Sequence, residues 1–274
     1  MKLNKKAEVT LAIFLVAAAV AFVFALSIPD QSNSITGMAV AGANISGCAN
    51  ISIDSELTQD IYVNLSDAIG SWCISFQTND IILDCQGHSL NGNGSGIGII
   101  SGNLDNITIK NCQVNNFTSG IQMRTNNSFV INNTASFNTE DGFIIGYGYY
   151  GVINAFVENN TAINNSRHPF YIINASYSQI KNNRAYNHSN GVYNIQSSHY
   201  NQILNNLAYD NYGGFTLSYS SHDNHLFNNT VHNNQVFNGN SYEFITDSYN
   251  NVLNQSYYTG NSTVVNLRVG QSFT

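Results

Sequence analysis

The chain has 274 residues, 9% of them charged, and a formal net charge of −7 at pH 7. Ordinary soluble domains carry about 25% charged residues, so Asn, Ser, Thr and Gly, or sugars attached to them, must supply the polarity here. Six basic side chains beyond residue 6, scattered along an acidic chain, exclude nucleic acid as a partner, because phosphates demand clustered Lys and Arg.

The amino terminus reads as a membrane device. Lys2, Lys5 and Lys6, within a basic flank of residues 1–8, precede an uncharged run over 9–29. About 20 apolar residues span a bilayer core as a helix, and a basic flank keeps that end in the cytoplasm and sends the rest outside. A retained single-pass anchor is the expectation, with a cleaved signal peptide as the alternative. Either way the remainder is exported. Residues 30–47, small and polar without a periodic apolar face, read as a linker.

Four cysteines, Cys48, Cys73, Cys85 and Cys112, fit an oxidising compartment. They allow three pairings; the repeat register described next sets Cys85 beside Cys112, leaving Cys48 for Cys73. Residues 48–79 read as an N-terminal cap. Sequons are abundant, and those at Asn132, Asn159, Asn228 and Asn254 fall in a repeated doublet, where a buried or stacked amide is not expected to accept a sugar.

Residues 80–257 carry that repeat. An Asn doublet begins at Asn111, Asn132, Asn159, Asn182, Asn205, Asn228 and Asn254, with Cys112 and Gln255 replacing the second member at the two ends. Two positions before each lies an aliphatic residue: Ile109, Val130, Val157, Ile180, Ile203, Leu226 and Val252, with Leu83 extending the series upstream. Three positions after each doublet's start lies Val114, Ala135, Ala162, Ala185, Ala208, Val231 or Tyr257. The spacings run 26, 21, 27, 23, 23, 23 and 26, too short for a pair of amphipathic helices per repeat. Alternating runs such as NSFVINNTA and YNQILNNLA favour strands.

A polar, Asn-rich chain can instead be disordered. The unbroken aliphatic ladder and 12% aromatic residues argue for a folded solenoid, all-β, of about eight rungs. The doublet forms a bend, since Asn tolerates the left-handed backbone region and its amide can bond both neighbours in a stack. Glycines 120, 142, 191 and 214 suggest a second bend, each followed by an apolar residue: Ile121, Phe143, Val192 and Phe215. Residues 258–274, with Val264, Val265, Leu267 and Val269, read as a closing strand, although the chain could equally be truncated there.

The opening DIILDCQGHSLNGNGSGIGI (Asp80–Ile99), followed by NITIKNCQV, resembles the right-handed parallel β-helix of the pectate-lyase-like superfamily. The likeness is to its carbohydrate-binding and sugar-hydrolase-type repeat and to NosD-type periplasmic copper proteins. The resemblance covers about residues 48–257 and implies the fold; its members span lyases, hydrolases and non-catalytic proteins.

Three groups of residues could carry chemistry. The repeat used as a ruler sets Glu140 beside Arg167 and Asp141 beside His168 on consecutive rungs, a constellation able to bind a sugar or do acid–base work. Tyr147, Tyr149 and Tyr150 follow in a loop suited to stacking on sugar rings. His199 and His222 share a column with His225 three residues on, which could hold a transition metal. Against these stand an ordinary surface ion pair, an aromatic loop and solvent-facing histidines. Tyr186, Tyr209 and His232 form an outward column, either a glycan platform or plain sheet surface. Asp84–Lys110 and Glu158–Lys181 read as structural pairs.

The expectation is therefore a membrane-anchored extracellular module that binds glycans or builds a surface layer, without a committed catalytic residue or cofactor. The alternatives are a polysaccharide lyase or glycoside hydrolase at Glu140–His168, for which a lyase would need Ca²⁺, and a copper-binding accessory protein.

Overall fold

Short alternating runs such as Phe129–Ile131 put one side chain inward and its neighbours outward, so each needs strands on both sides to satisfy its backbone. The chain meets that need by coiling. The computed structural model describes residues 42–63, 71–148, 151–189, 193–232 and 234, with the strands Tyr242–Phe244, Val252–Asn254, Tyr257–Thr259 and Ser272–Phe273. Among these, successive turns pair in parallel into an 11-stranded first sheet and two 9-stranded sheets. The first begins at Ala43–Ile45, the second at Ile61–Tyr62 and the third at Ala49–Ile51. The result is a parallel β-solenoid, with seven rungs of the first sheet between Leu83 and Leu226.

Its interior is a set of columns. Leu83, Ile109, Val130, Val157, Ile180, Ile203 and Leu226 stack under the first sheet, all at 0% exposure. Leu90, Val114, Ala135, Ala162, Ala185, Ala208 and Val231 do so under the second. Under the third, Ile99 and Ile121 give way to Phe143, Phe170, Tyr193 and Phe215, whose rings stack at 4.8, 4.7 and 4.4 Å. The turns bearing these large rings are those with Ala in the second-sheet column. Large and small residues thus share a turn and keep its cross-section constant.

The doublet divides its labour. First members Asn111, Asn132, Asn159, Asn182, Asn205 and Asn228 all take positive φ, between 53° and 57°, and make the bend. Second members Asn133, Asn160, Asn183, Asn206 and Asn229 are buried and form the ladder. In each turn the Asn160-type amide nitrogen donates to Asn183 Oδ1 at 3.0 Å and to the Val130 carbonyl at 2.8 Å, while its backbone N–H also donates to Asn183 Oδ1 at 2.9 Å. Every polar atom of the side chain is thereby used. The sequon asparagines at 132 and 159 are consequently exposed bend residues rather than buried ladder residues, which corrects the expectation that they are stacked out of reach.

Other differences from the sequence reading have physical reasons. Leu226 pairs with Leu253 and Val231 with Tyr258, one residue later than the columns drawn through Val252 and Tyr257; apolar residues at both 252 and 253 make that register ambiguous in sequence. Gly120 lies inside the strand Ser119–Met123, whereas Gly142 lies at a bend as expected. They serve close packing: a Cβ would lie 2.6 Å from the Gly142 carbonyl oxygen and 2.7 Å from that of Pro169, respectively. The left-handed positions of that corner are Asn116, Phe137, Asn164, Asn187 and Asp210. Tyr193, not Val192, pairs with Phe215; Gly191 and Val192 lie outside the described residues. Pairing already includes Ala43–Ile45, inside the segment read as a linker, and the described strands within 48–79 pair with later turns in the same parallel way. Runs of two to five residues there are too short to declare a period. The 9–29 helix and the strand drawn through 264–269 lie outside the described residues.

Candidate functional site

The entry to the third sheet brings Glu140, Asp141, Arg167 and His168 together as the ruler requires, with Arg167 N–H bonded to the Glu140 carbonyl. Asp141 is fully buried and both its carboxylate oxygens are engaged. Arg167 Nε donates to Oδ1 at 2.9 Å, Arg167 Nη2 to Oδ2, and the His168 backbone N–H to Oδ1 at 3.0 Å. Bidentate pairing of this kind fixes the guanidinium plane, and the hydrogen bonds Arg167 donates to Asp141 push its pKa up. Glu140 lies 3.7 Å from Arg167 Nη1 with its side chain half exposed. Three hydrogen bonds hold Asp141 at 0% exposure, and its part is to orient Arg167. Glu140 is the carboxylate of the pair that faces solvent.

Beyond this fork the outward positions of the third sheet form a column through Gln122, Ile144, Tyr171, Asn194 and Thr216. Gln122, Ile144 and Thr216 are buried, whereas Tyr171 and Asn194 are half-buried. The Tyr171 ring lies under the Arg167 guanidinium at 5.6 Å and beside the His168 ring at 5.1 Å. Its hydroxyl donates to Gln196 Oε1 at 2.6 Å, and burial pushes its pKa up. His168 Nε2 and Asn194 Nδ2 lie 3.3 Å apart. Tyr171, Asn194 and Gln196 were not singled out in the sequence, although counting from the doublet assigns them to one face.

Tyr147 is 48% exposed and packs under the Arg124 guanidinium at 4.4 Å. Tyr149 and Tyr150 lie outside the described residues.

The histidines divide. His199 and His222 stack at 4.0 Å, and His222 Nδ1 is 2.7 Å from Asp223 Oδ2. Burial, and then the charge of His222, lower the His199 pKa. His225 instead lies exposed on the strand His225–Phe227, its ring 6.2 Å from that of Phe227. Among the described residues no group of three or more His, Cys, Asp or Glu side chains is arranged to hold a metal ion.

Tyr186 and Tyr209 stack at 4.9 Å with planes 14° apart, so their inner faces cover each other and are closed to a sugar ring. Lys110–Asp84 and Lys181–Glu158 pair at 3.0 and 3.3 Å. Burial raises the Asp84 pKa, but hydrogen bonds from Asn111, the Gln86 backbone and Lys110 outweigh it, and the net shift is downward. Both disulfides form as expected, Cys48–Cys73 and Cys85–Cys112, which indicates an oxidising compartment.

The sequence model of the family described as "Periplasmic copper-binding protein (NosD)" matches residues 32–264. The chain belongs to the NosD family. No curated protein matches this NosD-family chain. Among solved structures, it is similar to the catalytic domain of a GH87 alpha-1,3-glucanase, at 11% identity over 85% of this chain and 62% of that one, TM-score 0.51. It is also similar to a DFA-IIIase from Arthrobacter chlorophenolicus A6, at 10% identity over 83% and 79%, TM-score 0.49. A third is the A-module of a mannuronan C-5 epimerase from Azotobacter vinelandii, at 16% identity over 80% and 69%, TM-score 0.40. At 11% identity the likeness to the glucanase domain is one of fold.

Proposed function

We propose that this NosD-family protein is exported, held at the membrane by residues 9–29, and binds glycans on the outer side of its third sheet. The observation that carries the reading is the fixed row at the fork. Arg167, locked by Asp141, lies over the ring of Tyr171, whose hydroxyl is held by Gln196, with Asn194 and His168 alongside. Glycan sites need this kind of half-buried aromatic surface flanked by pre-oriented amide and guanidinium donors. The test is a glycan array probed with the full chain. Tyr171→Ala and Gln196→Ala are expected to lose at least tenfold in affinity without loss of secondary structure. Retention of binding in both variants would remove the third sheet from the reading.

A glycan-cleaving activity would have to run through Glu140, the solvent-facing carboxylate; cleavage products that persist in Glu140→Gln would exclude that residue. A copper-binding reading has its own support in the family's description and the His199–His222 stack. It predicts copper uptake that falls in His199→Ala and His222→Ala, and unchanged uptake would sink it.

A further inference from the structure

Arg124 is the described cation whose surroundings are least explained. Lys110, Lys181 and Arg167 each have a carboxylate partner, and Arg184 is solvent-exposed. Arg124 is half-buried, its Nε is enclosed without an acceptor, and no described carboxylate lies within ion-pair distance. Desolvating a guanidinium without a counter-charge is unfavourable, and the cation–π contact with Tyr147 offsets only part of that.

The geometry around it is a prepared slot. Arg124 follows Met123, which pairs with Ile145, so its neighbour on the next turn is Gly146; counting back from the Ile100–Gln122 pair gives Gly102 on the turn before. Neither neighbour has a side chain, and the space is open on the Gly102 side. A Cβ at Gly102 would meet nothing nearer than 4.0 Å. Gly146 is constrained: φ is +85° and a Cβ would lie 1.9 Å from the Ile173 carbonyl oxygen. That conformation turns the chain so that Tyr147 lies against Arg124. The Arg124 backbone N–H donates to Ser101 Oγ at 2.7 Å, anchoring the residue at the sheet's edge.

We infer that Arg124, walled by Tyr147 and flanked by Gly102 and Gly146, is an anion subsite that selects glycans bearing a carboxylate or sulfate substituent over neutral ones. This rests on the glycan-binding reading. The planar fork of Arg matches either oxyanion bidentately, and a bound anion would supply the missing counter-charge.

The test measures affinity of the full chain for oligogalacturonate, for its carboxyl-reduced neutral counterpart and for chondroitin sulfate oligosaccharides, which separates the two anion sources. Wild type is expected to prefer an acidic ligand at least tenfold. Arg124→Gln abolishes the preference while neutral binding stays, Arg124→Lys restores part of it, and raised salt weakens only the acidic ligand. Equal binding of acidic and neutral oligosaccharides by wild type, or a preference that survives Arg124→Gln, overturns the inference and leaves glycan binding standing. Binding of none of the three overturns the glycan reading. In that case the melting-temperature shift produced by inorganic sulfate, compared between wild type and Arg124→Gln, decides the anion site by itself: an equal shift refutes it.

Discussion

The hydroxyl of Tyr193 is carried into the aromatic column between Phe170 and Phe215, fully buried and without a hydrogen-bond partner. Burial pushes its pKa well above the ordinary range. Leaving such a group unsatisfied costs about 1–3 kcal/mol, whereas the ring itself fills the column. Tyr193→Phe is therefore expected to raise stability by about 1 kcal/mol in denaturant titration, against the usual direction of core substitutions. A loss would mean that the hydroxyl has a partner in solution. His188 makes a related point in a second ladder, formed by Asn138, Asn165, Asn211 and Asn234 at the corner between the second and third sheets. It stands where that ladder needs an amide. Its Nδ1 meets the Asn165 backbone N–H at 3.2 Å and the Asn165 carbonyl at 3.0 Å, while Nε2 is enclosed without a partner. Burial lowers its pKa from the ordinary 6.5, and His168 adds to the lowering. The folded protein thus binds fewer protons than the unfolded chain as pH falls below 6.5, so stability declines there and is fully present above it. His188→Asn should rebuild the ladder and flatten that decline, measured by urea midpoints between about pH 7 and 5. An unchanged pH profile would assign the acid sensitivity elsewhere.

At the scale of the element, the doublet's two asparagines look alike in sequence and do opposite things. Asn183→Ala removes the acceptor of two Asn160 donors and the donor to the Val157 carbonyl, all buried. A loss of at least about 3 kcal/mol is expected. Asn182 bends the chain at φ 57° and its amide reaches Glu158 at 3.3 Å on the surface. Asn182→Gly is expected to be within about 0.5 kcal/mol of wild type, and Asn182→Ala to cost about 1 kcal/mol for the left-handed backbone. Equal losses at 182 and 183 would contradict the division. The same contrast explains what was legible beforehand. The aliphatic column, the Cys85–Cys112 contact and the Glu140–Arg167 alignment all follow from register alone, and register is periodic. The site's further members were written in the same period but not attached to the doublet. Tyr171, Asn194 and Gln196 carry no type signal of their own, and become a surface only once two turns are stacked. The ladder through Asn138 and Asn165 was readable five residues after each doublet; His188 in its middle disguised it.

For the whole molecule, each turn touches chiefly the turns before and after it, which makes stability a sum of local terms. Turns spaced 26, 21 and 27 residues carry the second disulfide, the Arg124 slot and the fork, so irregularity in length coincides with the features that differ from turn to turn. From Val157 to Leu226 the spacing is a constant 23, and the ladder bonds repeat at that separation. A full repeat should therefore be dispensable. Deleting Ile180–Gln202 joins Gln179 to Ile203, lets Asn160 bond Asn206, and brings Phe215 onto Phe170 in the aromatic column. Far-UV circular dichroism and both disulfides are expected to survive, with a melting temperature lowered but cooperative. A deletion one residue shorter, Ile180–Asn201, leaves Gln202 as an extra residue inside the first-sheet strand and turns the side chains on one side of it to the opposite face until a bend absorbs the excess. Its melting temperature is expected to fall below that of the 23-residue deletion. Equal melting temperatures of the two deletions would show that the columns do not set the register.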